Sequence, residues 1–237
     1  MRDRVMRRCR KGSIVSDGFH SARPINPGGF LLKRLFAILL PVAVLSAAIA
    51  ASASARPAST ITLSASKATF VMSGSTKACA NWGHYYVFHV GTNANSVRRG
   101  LVQFDLSSLP ANTRILSATL SVYETITLRG SGVVGAHLVT TPWVEGGGSN
   151  TCVGSGATWL QTGLGNPWLQ PGGDFTAPDQ ATVTKSAGNT PGWDSFDITP
   201  FVQGWASGAY QNDGVTLKLD NETLSPCTTI TNCNYWA

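Results

Sequence analysis

Between Arg99 and Tyr123 the chain reads as two β-strands joined by a polar turn. Leu101, Gln103 and Asp105 alternate with Val102, Phe104 and Leu106, and Leu116, Ala118, Leu120 and Val122 alternate with Ser117, Thr119, Ser121 and Tyr123. Alternation with period two marks a strand with one buried face. Ser107-Ser108-Leu109-Pro110-Ala111-Asn112 supplies the turn, with Pro110 presetting φ and Asn112 tolerating turn geometry. A chain built on such units must bury one face of a sheet against another layer.

Further short apolar runs read as strands at Thr60–Ser66, Tyr85–Val90, Val133–Thr140, Ala181–Thr184, Trp193–Ile198 and Gly214–Leu219. No long helical pattern intervenes. Many short strands between Gly-, Ser-, Thr- and Asn-rich turns predict an all-β sandwich or barrel. One segment differs. Thr199 can cap a short helix and Pro200 suits its first position. Phe201, Val202 and Trp205 share a face, and Gly208 supplies the stop. One short helix is therefore expected near 199–206. The region from Trp143 to Gln180 is long for a loop in a compact domain, so it is either functional or pinned by a bond.

The first 55 residues are unlike the rest. Met1 to Arg34 holds nine Lys/Arg and two Asp, Leu35 to Ala51 is almost entirely apolar, and Ala53-Ser54-Ala55 offers a small-residue exit. This is the pattern of a secretory leader cleaved near Ala55. The alternative, an uncleaved signal anchor, has an apolar run at the lower limit for crossing a bilayer. The expected organisation is a leader over 1–55 and one domain over 56–237, secreted and without stable membrane insertion after cleavage. The formal charge of +6 resides in that leader, since the rest of the chain holds nine basic and ten acidic residues. The high pI is thus no argument for nucleic-acid binding.

Cys79, Cys152, Cys227 and Cys233 remain beyond the leader, an even number in an exported chain. Disulfides are the default there, and four cysteines allow three pairings. The closeness of Cys227 and Cys233 favours pairing them, which leaves Cys79 with Cys152. No C-x-x-C spacing supports zinc.

Several phrases resemble one family. RGLVQFDLSSLP with ILSATLSVY, Asn81-Trp82-Gly83, Pro142-Trp143-Val144-Glu145, Phe196-Asp197-Ile198-Thr199 leading into Val202-Gln203-Gly204-Trp205, and Asn212-Asp213-Gly214-Val215 follow in order. Together they are similar to the DNRLRE domains, which include the family 96 carbohydrate-binding modules. The resemblance runs from about Ala65 to Leu219. It implies a jelly-roll β-sandwich with a non-catalytic, extracellular role. Some relatives bind an acidic polysaccharide such as alginate, and others are repeats in surface proteins. Two departures stand out. Lys67-Ala68-Thr69 replaces an Asp usual in the first strand, and Leu224 to Ala237 replaces the usual closing strand.

Sugar rings stack on exposed aromatic faces. Trp82 with Tyr85 and Tyr86, in a turn beside His84, is the expected stacking site. Trp193 and Trp205 are expected in the core, Trp143 in a structural role, and Trp159 and Trp168 in between. From Arg56 to Arg99 there are five basic residues and no acid. Lys67, Lys77, Arg98 and Arg99 could therefore form a stripe for a polyanion, with Arg binding carboxylates at two points.

Catalysis has little support. The only histidines after the leader are His84, His89 and His137, and Gly154-Ser155-Gly156 lacks nucleophile-elbow spacing. No cofactor is expected. A structural calcium on Asp174 and Asp179 is the one metal candidate. The expectation is a polysaccharide-binding module, not an enzyme. A structural or adhesive surface domain without a sugar site comes second, and a secreted polysaccharide hydrolase or lyase third.

Overall fold

The computed structural model describes residues 10–17, 58–93, 95–110, 113–126, 130–152, 155–177, 179–223 and 235–236. Its elements are β1 (Arg10–Asp17), β2 (Ser59–Met72), β3 (Val90–Asn93), β4 (Ser96–Phe104), β5 (Arg114–Glu124), β6 (Gly132–Leu138), β7 (Ala181–Lys185), β8 (Gly192–Asp197), α1 (Thr199–Ser207), β9 (Val215–Leu219) and β10 (Tyr235–Trp236). All strand pairs are antiparallel, in the order β7-β6-β9-β4-β2-β1-β5-β8, with β3 beside β4 and β10 beside β3. The all-β sandwich with one short helix is as expected.

The long strand β2 makes the corner. Ser59 to Ser64 pairs with β1 in one sheet, and Ala65 to Met72 pairs with β4 in the other. A register shift between Ala65 and Lys67 marks the change, as a bulge allows a strand to bend from one sheet into the next. The two ends of the path, β7 and β8, come together at the opposite edge.

Between the sheets lies the main core. Leu120, Phe196 and Ile198 meet Val102, Phe104, Val134, Ala136, Val215 and Leu217. Each set comes from alternate positions of its strand, so the period-two pattern alone selects the inner face. The second sheet is covered on its other face too. Val71 and Leu101 point outward there and pack under Val139, Trp143, Ala157 and Trp168. The long segment after β6 is therefore a third layer. A sheet buried on both faces reads as continuous apolar sequence, which is why the alternation fades in Gly100-Leu101-Val102.

Differences from expectation have local causes. Tyr85 to Phe88 is irregular backbone with a bend rather than strand, and it follows a turn that Asn81 fixes at Gly83 and ties to the segment 145–157. The Asn81 side-chain amide donates to the carbonyls of Glu145 and Ala157, both at 2.9 Å, while its oxygen accepts from the N–H of Gly83 and Gly148. Thr199 does not cap α1. Its hydroxyl donates to Asp197 and accepts the Ala118 N–H at 2.8 Å, tying the helix to β5. Gly208 ends the helix at φ 72°, as a left-handed stop requires. β1 falls inside the segment expected to be a leader. It fills the gap between β2 and β5, which do not pair with each other.

Cys79 and Cys152 are bonded across 73 residues. Their bridge holds the Asn81 turn against the third layer, beside the Asn81–Thr151 bridge. Cys227 and Cys233 lie outside the described residues. Among the described residues no helix is long and apolar enough to cross a membrane.

Candidate functional site

The aromatic turn expected to stack on sugar is only partly open. Trp82 is 8% exposed and lies on Phe70, ring centroids 4.7 Å apart. Tyr85 stands at right angles to it, ring centroids 5.4 Å apart. Phe70 thus stacks on Trp82 and Tyr85 stands perpendicular to it, so the indole is a core ring rather than a platform. Tyr86 is different. It is 57% exposed and leans on Tyr85 at 4.8 Å.

The basic residues do not form one stripe. Lys67 donates to the Trp143 carbonyl at 3.3 Å and sits 5.5 Å from the Trp143 ring. Lys77 donates to Asn150 at 2.7 Å, with Trp82 below it at 5.9 Å. Arg99 pairs at two points with Glu222, at 2.8 and 2.6 Å, and donates to the Gly172 carbonyl. Trp159 and Phe175 lie 4.8 and 5.1 Å from its guanidinium carbon. Arg98, one residue earlier on β4, points to the opposite face. Strand alternation separates the two arginines, and the third layer engages Lys67 and Arg99.

Of the two residues expected to hold calcium, Asp174 and Asp179, Asp174 has its carboxylate committed to the protein. Asp174 is buried, and its carboxylate accepts from the Thr141 hydroxyl and from the N–H groups of Leu169 and Gln170. It organises the loop that covers the second sheet. Among the described residues no three His, Cys, Asp or Glu side chains are grouped as metal ligands.

The tryptophans divide differently from the sequence expectation. Trp205 is buried, as expected. Trp143 is buried and donates its indole N–H to the Asp213 carbonyl at 2.8 Å. Glu145, two residues on, accepts the Ala68 N–H at the β2 register shift. The Pro-Trp-Val-Glu phrase therefore fastens the third layer onto the sheet. Trp168 is buried too, its indole N–H on the Thr158 carbonyl.

Trp193, expected in the core, is 50% exposed. Residues 192–197 alternate, and the inward places on β8 go to Asp194 and Phe196. Trp193 therefore stands on the outer face of the first sheet. It meets Tyr123 of β5 at 5.1 Å, ring planes 68° apart, and the two residues are paired in register. Next along the same face are the paired Ser121 and Ser195, followed by Thr119 and Asp197. The result is an indole and a phenol on a rigid sheet, followed by a row of hydroxyls. The signal was present in the strict alternation of Trp193-Asp194-Ser195-Phe196, which puts Trp on the side of Ser and not of Phe.

The fold defines an all-β sandwich of two antiparallel sheets with a third layer of loop. Residues 59–147 match the model of carbohydrate-binding module family 96, and the resemblance read from the sequence holds for that segment. The segment carries β2 to β6, the Asn81 turn and the Trp143–Glu145 clamp, while β7, β8, α1 and β9 follow it. No curated protein matches the chain.

Proposed function

We propose that this protein is an exported polysaccharide-binding module that holds its ligand on the outer face of the first sheet. The observation that carries this reading is the half-exposed Trp193 beside Tyr123. A sugar ring needs a flat apolar surface for its C–H face and polar groups for its hydroxyls. Trp193 supports the first requirement, and Ser121, Ser195 and Thr119 support the second. Strands hold such groups more rigidly than loops do. No described basic side chain borders this face on β5 or β8 beyond Arg114 at the start of β5, which favours a neutral stretch of glycan there. The family match supports carbohydrate as the ligand class. Export is supported by the leader pattern and by the Cys79–Cys152 bond. A non-catalytic role agrees with both.

A second reading is favoured by Tyr86. This exposed ring lies in contact with Tyr85, which touches Trp82, over which Lys77 sits. An acidic polysaccharide such as alginate fits that ledge better, since an ammonium is near.

Affinity electrophoresis of the full chain in gels with xylan, a soluble cellulose derivative, alginate or pectin tests both. Trp193→Ala should weaken retardation about tenfold, as the loss of one stacking ring implies, and Tyr86→Ala should leave it intact. Retardation confined to acidic gels, lost with Tyr86→Ala and kept with Trp193→Ala, moves the site to the tyrosine ledge. Free migration of folded protein in every gel defeats the binding reading.

A further inference from the structure

One buried charged cluster plays no part in the surfaces above. Lys185 ends the inward row Ala181, Val183, Lys185 on β7. Glu124 ends the inward row Leu120, Val122, Glu124 on β5, and Asp194 precedes Phe196 on the inward row of β8. The three meet where the two free sheet edges come together. Lys185 Nζ lies 2.7 Å from Glu124 Oε2, and 2.8 and 2.7 Å from the two Asp194 oxygens. Side-chain exposure is 5% for Lys185, 3% for Glu124 and 21% for Asp194. Glu124 Oε1 is buried and has no hydrogen-bond partner.

An ion pair is a weak reason to bury three charges, because desolvation offsets most of the attraction. The same arrangement suits a covalent bond. We infer that Lys185 and Asp194 condense to an intramolecular amide, with Glu124 as the proton carrier, and so lock the β7 edge to the β8 edge.

The chemistry balances without another reactant. A proton passes from the Lys185 ammonium through Glu124 to the Asp194 carboxylate. The neutral amine adds to Asp194 Cγ and forms the C–N bond. The C–O bond breaks, the hydroxyl takes the proton that the nitrogen gives up through Glu124, and water leaves. Glu124 ends in its starting state. Two contacts to one carboxylate already bring Nζ near Cγ, and a turn about Cβ–Cγ presents the face of the carboxyl to the amine. Groups held at such range react as though at very high concentration. Burial pushes the Glu124 carboxyl up, against the opposing pull of Lys185, which favours the protonated form that a carrier needs. For Lys185, burial pulls down while the hydrogen bonds of Asp194 and Glu124 push up and prevail, so the proton must move within the triad.

Peptide mass spectrometry of the full chain, expressed, folded and then reduced, decides the matter. Between Arg129 and Lys218 the only tryptic site is Lys185. An amide there blocks cleavage and yields the peptide 130–218 lighter by one water, with fragment ions joining Lys185 to Asp194. Asp194→Asn should give a peptide lighter by one ammonia instead, and Glu124→Gln should restore cleavage at Lys185. Full cleavage at Lys185 in folded wild-type protein, with peptides of unaltered mass, overturns the proposal. A link that persists undiminished in Glu124→Gln overturns the role given to Glu124.

Discussion

The Asn81 side chain and the Gly148 backbone hold one another at 2.7 Å, N–H to Oδ1, and through that contact two distant turns become one unit. Asn81 also binds the carbonyls of Glu145 and Ala157 through its amide. Replacing it with Ala leaves these groups buried and unpaired. The expected loss is about 2–4 kcal/mol in urea unfolding, since each orphaned buried group costs about 1–3 kcal/mol. Asn81→Asp should be worse than Asn81→Ala, because it turns an oxygen toward two carbonyls. Equal stability of the three proteins would remove Asn81 from this role.

Cys79 and Cys152 close a segment of 73 residues. The chain-entropy estimate for such a loop is about 4 kcal/mol. The double Cys→Ser variant should unfold at lower denaturant by a corresponding margin, while retaining its strand content by circular dichroism. A midpoint unchanged from the oxidised protein would show that the third layer is held by Asn81 and Trp143 alone.

Asp197 accepts the hydroxyl and the N–H of Thr199, and these bonds hold its carboxyl below the ordinary aspartate range. A depressed folded value means that the unfolded chain binds protons first as pH falls. The resulting stability is present above the unfolded value and disappears as pH drops through the folded one. Wild type should therefore exceed Asp197→Asn in stability at neutral pH, and the two should converge in acid. A gap that stays constant down to the acid transition would contradict this assignment.

β1 supplies the ladder partner for Ser59–Ser64 of β2 and for the first half of β5. A chain that starts at Arg56, as after cleavage near Ala55, lacks it. Two strand edges would then face a gap. Such a chain should be less stable than the full chain by several kcal/mol, since β1 is paired at six positions with β2 and at five with β5 and a backbone hydrogen bond contributes about 1 kcal/mol, less where water can take its place. A synthetic peptide of residues 10–17 should raise its melting temperature in a dose-dependent way. If the peptide has no effect and the melting temperatures agree, the gap closes without β1.

Much of the architecture was legible in local pattern. The alternation in 101–106 and 115–123 picked out the inner face of β4 and β5, because a strand can bury only every second residue on one side. Pro200 and Gly208 bounded α1 through their fixed and permissive φ. The phrases as far as Glu145 pointed to the family whose model matches residues 59–147. Other features needed the tertiary structure. Whether Trp82 or Trp193 faces solvent depends on what lies across from each, and Phe70 is 12 residues from one while Tyr123 is 70 from the other. The partners of Lys67, Arg99 and Lys185 are likewise set by which strands become neighbours, and no local pattern encodes that. The chain's own composition and periodicity determined strands, turns, helix ends and a sandwich, all short-range consequences of φ and side-chain alternation. Only the folding of the path at β2 decided which charges meet and which aromatic ring stays open, because long-range strand order brings those groups together.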